Sequence, residues 1–212
     1  MKMGKIKIQY LLLAGVLIYG LYYYLAGAGS VKMNSSKAVE MVMEQVGKVD
    51  ADKYQILEIA WSEGEKLSNN PRYVDVTLLD KEGKRYSQQF DIFDDKELSF
   101  SEMPDFASRF PGYKAPEYKP LTLPDDVNAE KVVREMESAI GQLPEEFVFQ
   151  SVYQYNIERN SDTGELERRL VLRVTKKGES KEVDGRHITT TYYEIPFEIA
   201  SDGSVTPEND DE

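Results

Sequence analysis

Asn34–Val49 reads NSSKAVEMVMEQVGKV, and Asn128–Leu143 reads NAEKVVREMESAIGQL. At a fixed offset of 94 positions, Asn34 meets Asn128, Lys37 meets Lys131, Val39 meets Val133 and Gly47 meets Gly141. The apolar stripes coincide as well. Ala38, Val39, Val42, Val46 and Val49 line the first segment; Val132, Val133, Met136, Ile140 and Leu143 line the second. Both sets step as i, i+1, i+4, i+8, i+11, which is one face of an α-helix. Each segment opens on an Asn able to cap a helix N-terminus and closes near a Gly able to take a left-handed C-terminal conformation. The two helices predict a duplicated unit.

Outward from each helix the same order of strand signals follows. After the first come Tyr54–Trp61, Tyr73–Leu79 and Tyr86–Phe93, with turns at Asn69-Asn70-Pro71 and Asp80-Lys81-Glu82-Gly83. After the second come Phe147–Asn156, Arg169–Thr175 and Ile188–Ala200, with turns at Ser161-Asp162-Thr163-Gly164 and across 176–186. Val74, Val76 and Leu78 alternate with Tyr73, Asp75 and Thr77, and Leu170, Leu172 and Val174 alternate with Arg169, Val171 and Arg173. Period-two alternation is the mark of an antiparallel sheet with one dry face. The last strands align at an offset of 107, Tyr86, Phe90 and Ile92 matching Tyr193, Phe197 and Ile199. The expected fold class is therefore α+β: an N-terminal transmembrane helix followed by two tandem helix–three-stranded antiparallel sheet units. The first unit spans 34–98 and the second 128–206. A linker occupies 99–127 and an acidic tail 207–212.

Tandem helix–three-strand units behind an export signal resemble the PepSY and β-lactamase-inhibitor-protein group of extracytoplasmic modules. Thr191–Val205, TYYEIPFEIASDGSV, is similar to the closing strand and Gly turn of a PepSY repeat, whereas the first unit ends less typically in QFDIFDDKEL. A helix packed on a curved sheet also resembles a cystatin. The resemblance implies binding or inhibition through sheet and loops rather than catalysis.

Residues 10–28, YLLLAGVLIYGLYYYLAGA, run for 19 residues without a charge. At 1.5 Å per residue such a helix just spans a bilayer core of ~30 Å. Lys2, Lys5 and Lys7 precede the run and the next cation is Lys32, so the positive-inside bias puts the N-terminus in the cytoplasm. Ala26-Gly27-Ala28 fits a signal cleavage site, but the run exceeds a signal-peptide core, so the expectation for 1–30 is a signal-anchor. Either way the remainder lies outside the cytoplasm, periplasmic or extracellular. The whole chain carries a net charge of −12; residues 1–28 carry +3, so the remainder carries −12 − 3 = −15. Such a surface repels phosphate backbones and argues against nucleic acid. The expected partners are the membrane, through the single N-terminal span, and another envelope protein.

The search for chemistry returns little. With no cysteine and one histidine, His187, the chain lacks the ligand set for zinc and the nucleophile for a thiol enzyme. Neither G-x-S-x-G nor a nucleotide-binding glycine loop occurs. The acidic clusters Asp91/Asp94/Asp95, Asp125/Asp126 and Asp210/Asp211/Glu212 lack the spacing of a calcium loop and read as solvated turns and a frayed tail. No catalytic residue, cofactor or metal is expected. The candidates for partner binding are Trp61, on a strand apolar on both faces; the linker aromatics Phe106, Phe110, Tyr113 and Tyr118, interleaved with prolines; and Arg169 and Arg173, on the basic strand.

Overall fold

The structure, a computed structural model, describes residues 31–104, 117–179 and 190–208, with the backbone alone at 182–184 and 187–189. The expected membrane segment in 1–30, Phe106, Phe110, Tyr113, the side chain of His187 and Asp210–Glu212 lie outside the described residues.

Among the described residues two helices form, α1 (Ser36–Val46) and α2 (Ala129–Gly141). The strands are β1 (Tyr54–Glu63), β2 (Pro71–Asp80), β3 (Arg85–Asp91), β4 (Lys96–Glu102), β5 (Phe147–Arg159), β6 (Leu166–Lys176), β7 (Glu182–Asp184), β8 (His187–Thr189), β9 (Tyr193–Ile199) and β10 (Val205–Pro207). Eight of them make one antiparallel sheet in the order β10-β9-β6-β5-β1-β2-β3-β4, and β7 and β8 pair as a separate hairpin. This corrects the expected fold class. Two three-stranded units do not form side by side. Each half supplies four strands to a single sheet, joined where β1 pairs antiparallel with β5 from Glu58↔Glu158 to Ser62↔Gln154. Nor is any helix among the described residues long and apolar enough to cross a membrane.

The strand order is a palindrome about that central pair. Outward on one side run β1, β2, β3 and β4; outward on the other run β5, β6, β9 and β10. Trp61 and Tyr155 stand 94 positions apart, the offset that relates the helices, and they face each other directly across β1 and β5. Their rings stack at 4.8 Å between centroids, and both side chains are fully buried. The internal correspondence of the chain thus meets itself at one aromatic pair in the middle of the sheet.

Both helices join one core with the sheet and touch each other, α1 lying over β2 and α2 over β10. On α1 the expected stripe is the buried one: Ala38, Val39, Val42 and Val46 are inaccessible, and Val49 follows just beyond the helix. On α2 the stripe is rotated. Val132, Glu135, Met136 and Ala139 are buried, while Val133, Ile140 and Leu143 are only half-covered. Glu135 takes an inward position because its carboxylate accepts a hydrogen bond from the Tyr155 hydroxyl and lies 3.7 Å from Arg168 Nη1. Burial, then the Glu135 charge and hydrogen bond, push the Tyr155 hydroxyl pKa well above its ordinary value.

The helix ends differ in detail from expectation. Asn128 caps α2, accepting from the Lys131 amide at 3.0 Å, but α1 is capped by Ser35, which accepts from the Ala38 amide at 3.3 Å. Asn34 instead accepts from Asn69 Nδ2 at 3.0 Å. Gly47 stays right-handed at φ −63 and Gly141 is the last residue of α2, so neither supplies a left-handed cap.

Candidate functional site

The palindromic sheet has one face under both helices and one face turned away from them. Alternation places Val74, Val76 and Leu78 of β2 inward and Tyr73, Asp75 and Thr77 outward. The outward face is polar, and pairing arranges its side chains in rows across the strands. One row runs Glu167, Glu158, Glu58, Thr77 and Ser87 over β6, β5, β1, β2 and β3. The next runs Arg169, Asn156, Ala60, Asp75 and Gln89.

Three glutamates on adjacent strands therefore stand directly opposite one another, an arrangement that costs stability through like-charge repulsion. Only part of the charge is balanced locally. Thr77 Oγ1 donates to Glu58 Oε2 at 2.9 Å, and Asn160 Nδ2 donates to Glu167 Oε1 at 2.7 Å. Burial and then the charges of Glu58 and Glu167 raise the pKa of Glu158 above the usual carboxylate value. Asp75 is raised as well, by burial, against the donor Gln89 and with Glu58 adding to the rise.

Beside the acidic row lies a shallow depression of about 240 Å³, bordered by Leu57, Thr77, Arg85, Tyr118, Glu158 and Arg159. The linker positions its rim. The Leu121 amide donates to the Ile56 carbonyl at 2.8 Å, where β1 has no partner on β5, and Asp126 receives both hydrogen bonds of Arg159 Nη2 at 2.7 and 2.8 Å. Tyr118 sits with its ring centre 5.1 Å from the Arg85 guanidinium. No group of three or more metal-ligating side chains occurs among the described residues.

The structure separates the residues singled out from the sequence. Trp61 is fully buried and belongs to the core. Arg173 is buried too, donating from Nη1 to Glu63 at 2.6 Å and from Nε to Glu194 at 2.9 Å, with its guanidinium 3.7 Å from the Tyr153 ring centre. Glu63 in turn accepts from the amides of Leu67 and Asn69. Arg173 is thus a fastener between the two halves rather than a surface contact. Arg169 and Tyr118 remain on the outward face, Arg169 bound to Glu208 at 2.6 Å. Asp91, expected in a solvated turn, is 2 % exposed and is held by Arg72 and the amides of Phe93 and Asp94.

Sequence reading missed the acidic row. Glu58, Glu158 and Glu167 each look like an ordinary polar position of an alternating strand, and only the pairing of β1 with β5 and of β5 with β6 brings them together.

No protein-family model matches this chain, and no curated protein matches it. Among solved structures, the chain is similar to a protein of Clostridium difficile 630 described as a "putative lipoprotein". The two share 12 % identity over 78 % of this chain and 90 % of the other, with a TM-score of 0.45, too distant a likeness to carry an argument.

Proposed function

We propose that the outward sheet face is a protein-binding platform, and that the chain serves as an accessory or assembly subunit of an envelope complex, without catalysis. The observation that supports this most is the acidic row. Three facing glutamates on the rigid centre of an eight-stranded sheet cost stability, and a partner presenting Lys or Arg side chains would relieve that cost. The depression of about 240 Å³ beside the row is smaller than a usual small-molecule site, as suits a broad contact more than a small ligand. Extracytoplasmic placement is supported by Lys2, Lys5 and Lys7 ahead of the uncharged run 10–28, with no further cation until Lys32.

The test is to tag the C-terminus, crosslink intact cells lightly and identify what co-purifies. The expected result is a stoichiometric envelope protein that is retained at low salt, released as ionic strength rises, and lost with the double substitution Glu58→Gln/Glu158→Gln. A soluble exported hydrolase as the main partner would replace the assembly role by an inhibitory one. Recovery of the protein alone would end both readings.

A further inference from the structure

β4 is the longer of the two sheet edges, and among the described residues nothing pairs with its outer side. Its last contact fixes the hydrogen-bond phase of the edge. Met103 donates its amide to the Arg85 carbonyl, so Tyr86 and Glu102 face each other as a non-hydrogen-bonded pair, and so do Gln88 and Phe100. The amides and carbonyls of Phe100 and Glu102 therefore point away from the sheet. The bulge that follows sets Leu98 out of register and ends the regular part of the edge. The opposite edge, β10, has three residues and ends in Pro207, which cannot donate.

The side chains of β4 sort by face. Ser99 and Ser101 lie in line with Gln89 and Ser87 on the outward face, and past the bulge Lys96 stands opposite Asp91 on that same face. Phe100 and Glu102 lie on the helix side, beside Gln88 and Tyr86. Phe100 stacks on Tyr86 at 5.3 Å and lies 5.8 Å from Tyr54 between ring centres, yet keeps 42 % of its surface open. Glu97 joins this face, because Gln88 Nε2 donates to its Oε2 at 2.6 Å. On the helix side β4 thus presents acid, aromatic and acid, all exposed, with its one cation on the other side of the sheet.

We propose that β4 takes an extended segment of another protein as an added antiparallel strand, and that this segment carries basic, apolar and basic side chains at alternate positions. Unpaired backbone groups beside open aromatic surface are a template for strand addition. Continuing the antiparallel ladder makes the residues opposite Phe100 and Glu102 hydrogen-bonded partners whose side chains lie on the helix side. An apolar residue there covers Phe100, a Lys or Arg meets Glu102, and the next alternate position reaches Glu97. An acidic strand would meet two like charges instead. The edge is separate from the acidic row, which lies on the outward face.

The test uses the full chain in mild detergent and a dye-labelled seven-residue peptide in which threonine alternates with lysine, valine and lysine. Saturable binding by fluorescence anisotropy is expected. Moving each lysine one position, onto the threonine face, should weaken binding about tenfold. N-methylation of the valine removes the main-chain donor aimed at the Phe100 carbonyl and should weaken binding roughly tenfold. N-methylation of the threonine beside it should be tolerated, because that amide points away from the edge. Phe100→Ser should weaken binding about fivefold. Equal binding of the two lysine arrangements, or of the two methylated peptides, would overturn strand addition and leave charge attraction alone. Binding that survives Phe100→Ser but is lost with Glu58→Gln/Glu158→Gln would overturn this edge and place the peptide on the acidic row. The absence of saturable binding would overturn the proposal, the edge then being closed to an added strand.

Discussion

At the scale of single residues, the most consequential contact is the buried pair of Glu63 and Arg173, 4 % and 6 % exposed. Removing Arg173 strands the Glu63 charge in the interior, so Arg173→Met is expected to cost about 3–5 kcal/mol. Urea denaturation measures it, and a loss below about 1 kcal/mol would show that the pair is not the fastener described. The carboxylates divide by sign. Glu158 has a folded pKa raised by burial and by Glu58 and Glu167, so its ionisation opposes folding at neutral pH, and that penalty fades as pH falls through the folded value toward the unfolded value of about 4.3. Glu158→Gln should therefore be more stable than wild type at pH 7, with the difference vanishing near pH 4. Asp91 behaves oppositely. Burial works against its ionisation, but the Asp94 and Phe93 amides and Arg72 outweigh it and hold the pKa below the usual value. Its contribution is present above about pH 3.9 and is lost as pH falls through the lowered folded value, so Asp91→Asn should be less stable than wild type at pH 7, the gap closing in acid.

At the scale of elements, the two helices test how a cap is chosen. Asn34 and Asn128 occupy equivalent positions, yet only Asn128 caps. In the first half the chain enters the helix one residue later, so Ser35 takes the cap and Asn34 is drawn to Asn69. Ser35→Ala and Asn128→Ala are each expected to cost about 1 kcal/mol, read by thermal denaturation. Equal losses from Asn34→Ala and Ser35→Ala would argue that Asn34 shares the cap. The strand signals of the first half stop at Phe93, and β4 lies beyond them. Its alternation is present in Leu98 and Phe100, but Lys96, Glu97, Glu102 and two serines surround them, and no residue is buried to give the pattern a dry face. β10 escapes notice for a related reason: only Val205 of its three residues is buried.

At the scale of the whole molecule, the two halves of Lys32–Glu212 form one compact unit because the stacked Trp61 and Tyr155 sit in a core that spans both. Such a unit should unfold in one transition. Trp61 is the sole tryptophan, so its fluorescence reports the centre of the sheet while far-UV circular dichroism reports all strands. The two urea curves are expected to superimpose. Separate midpoints would show the halves to be independent domains.

The sequence by itself determined the helix positions, the alternating faces of the long strands, the correspondence at an offset of 94 and the acidity of the chain, since these depend on neighbours within a few residues or on composition. The tertiary structure alone decided that the halves share a sheet, that Trp61 and Arg173 are buried, that Glu135 points inward, and that Glu58, Glu158 and Glu167 face one another. Those facts rest on strand pairing and packing between distant segments, above all the pairing of β1 with β5 about a hundred residues apart, and period-two alternation specifies which side of a strand is dry without specifying which strand lies beside it.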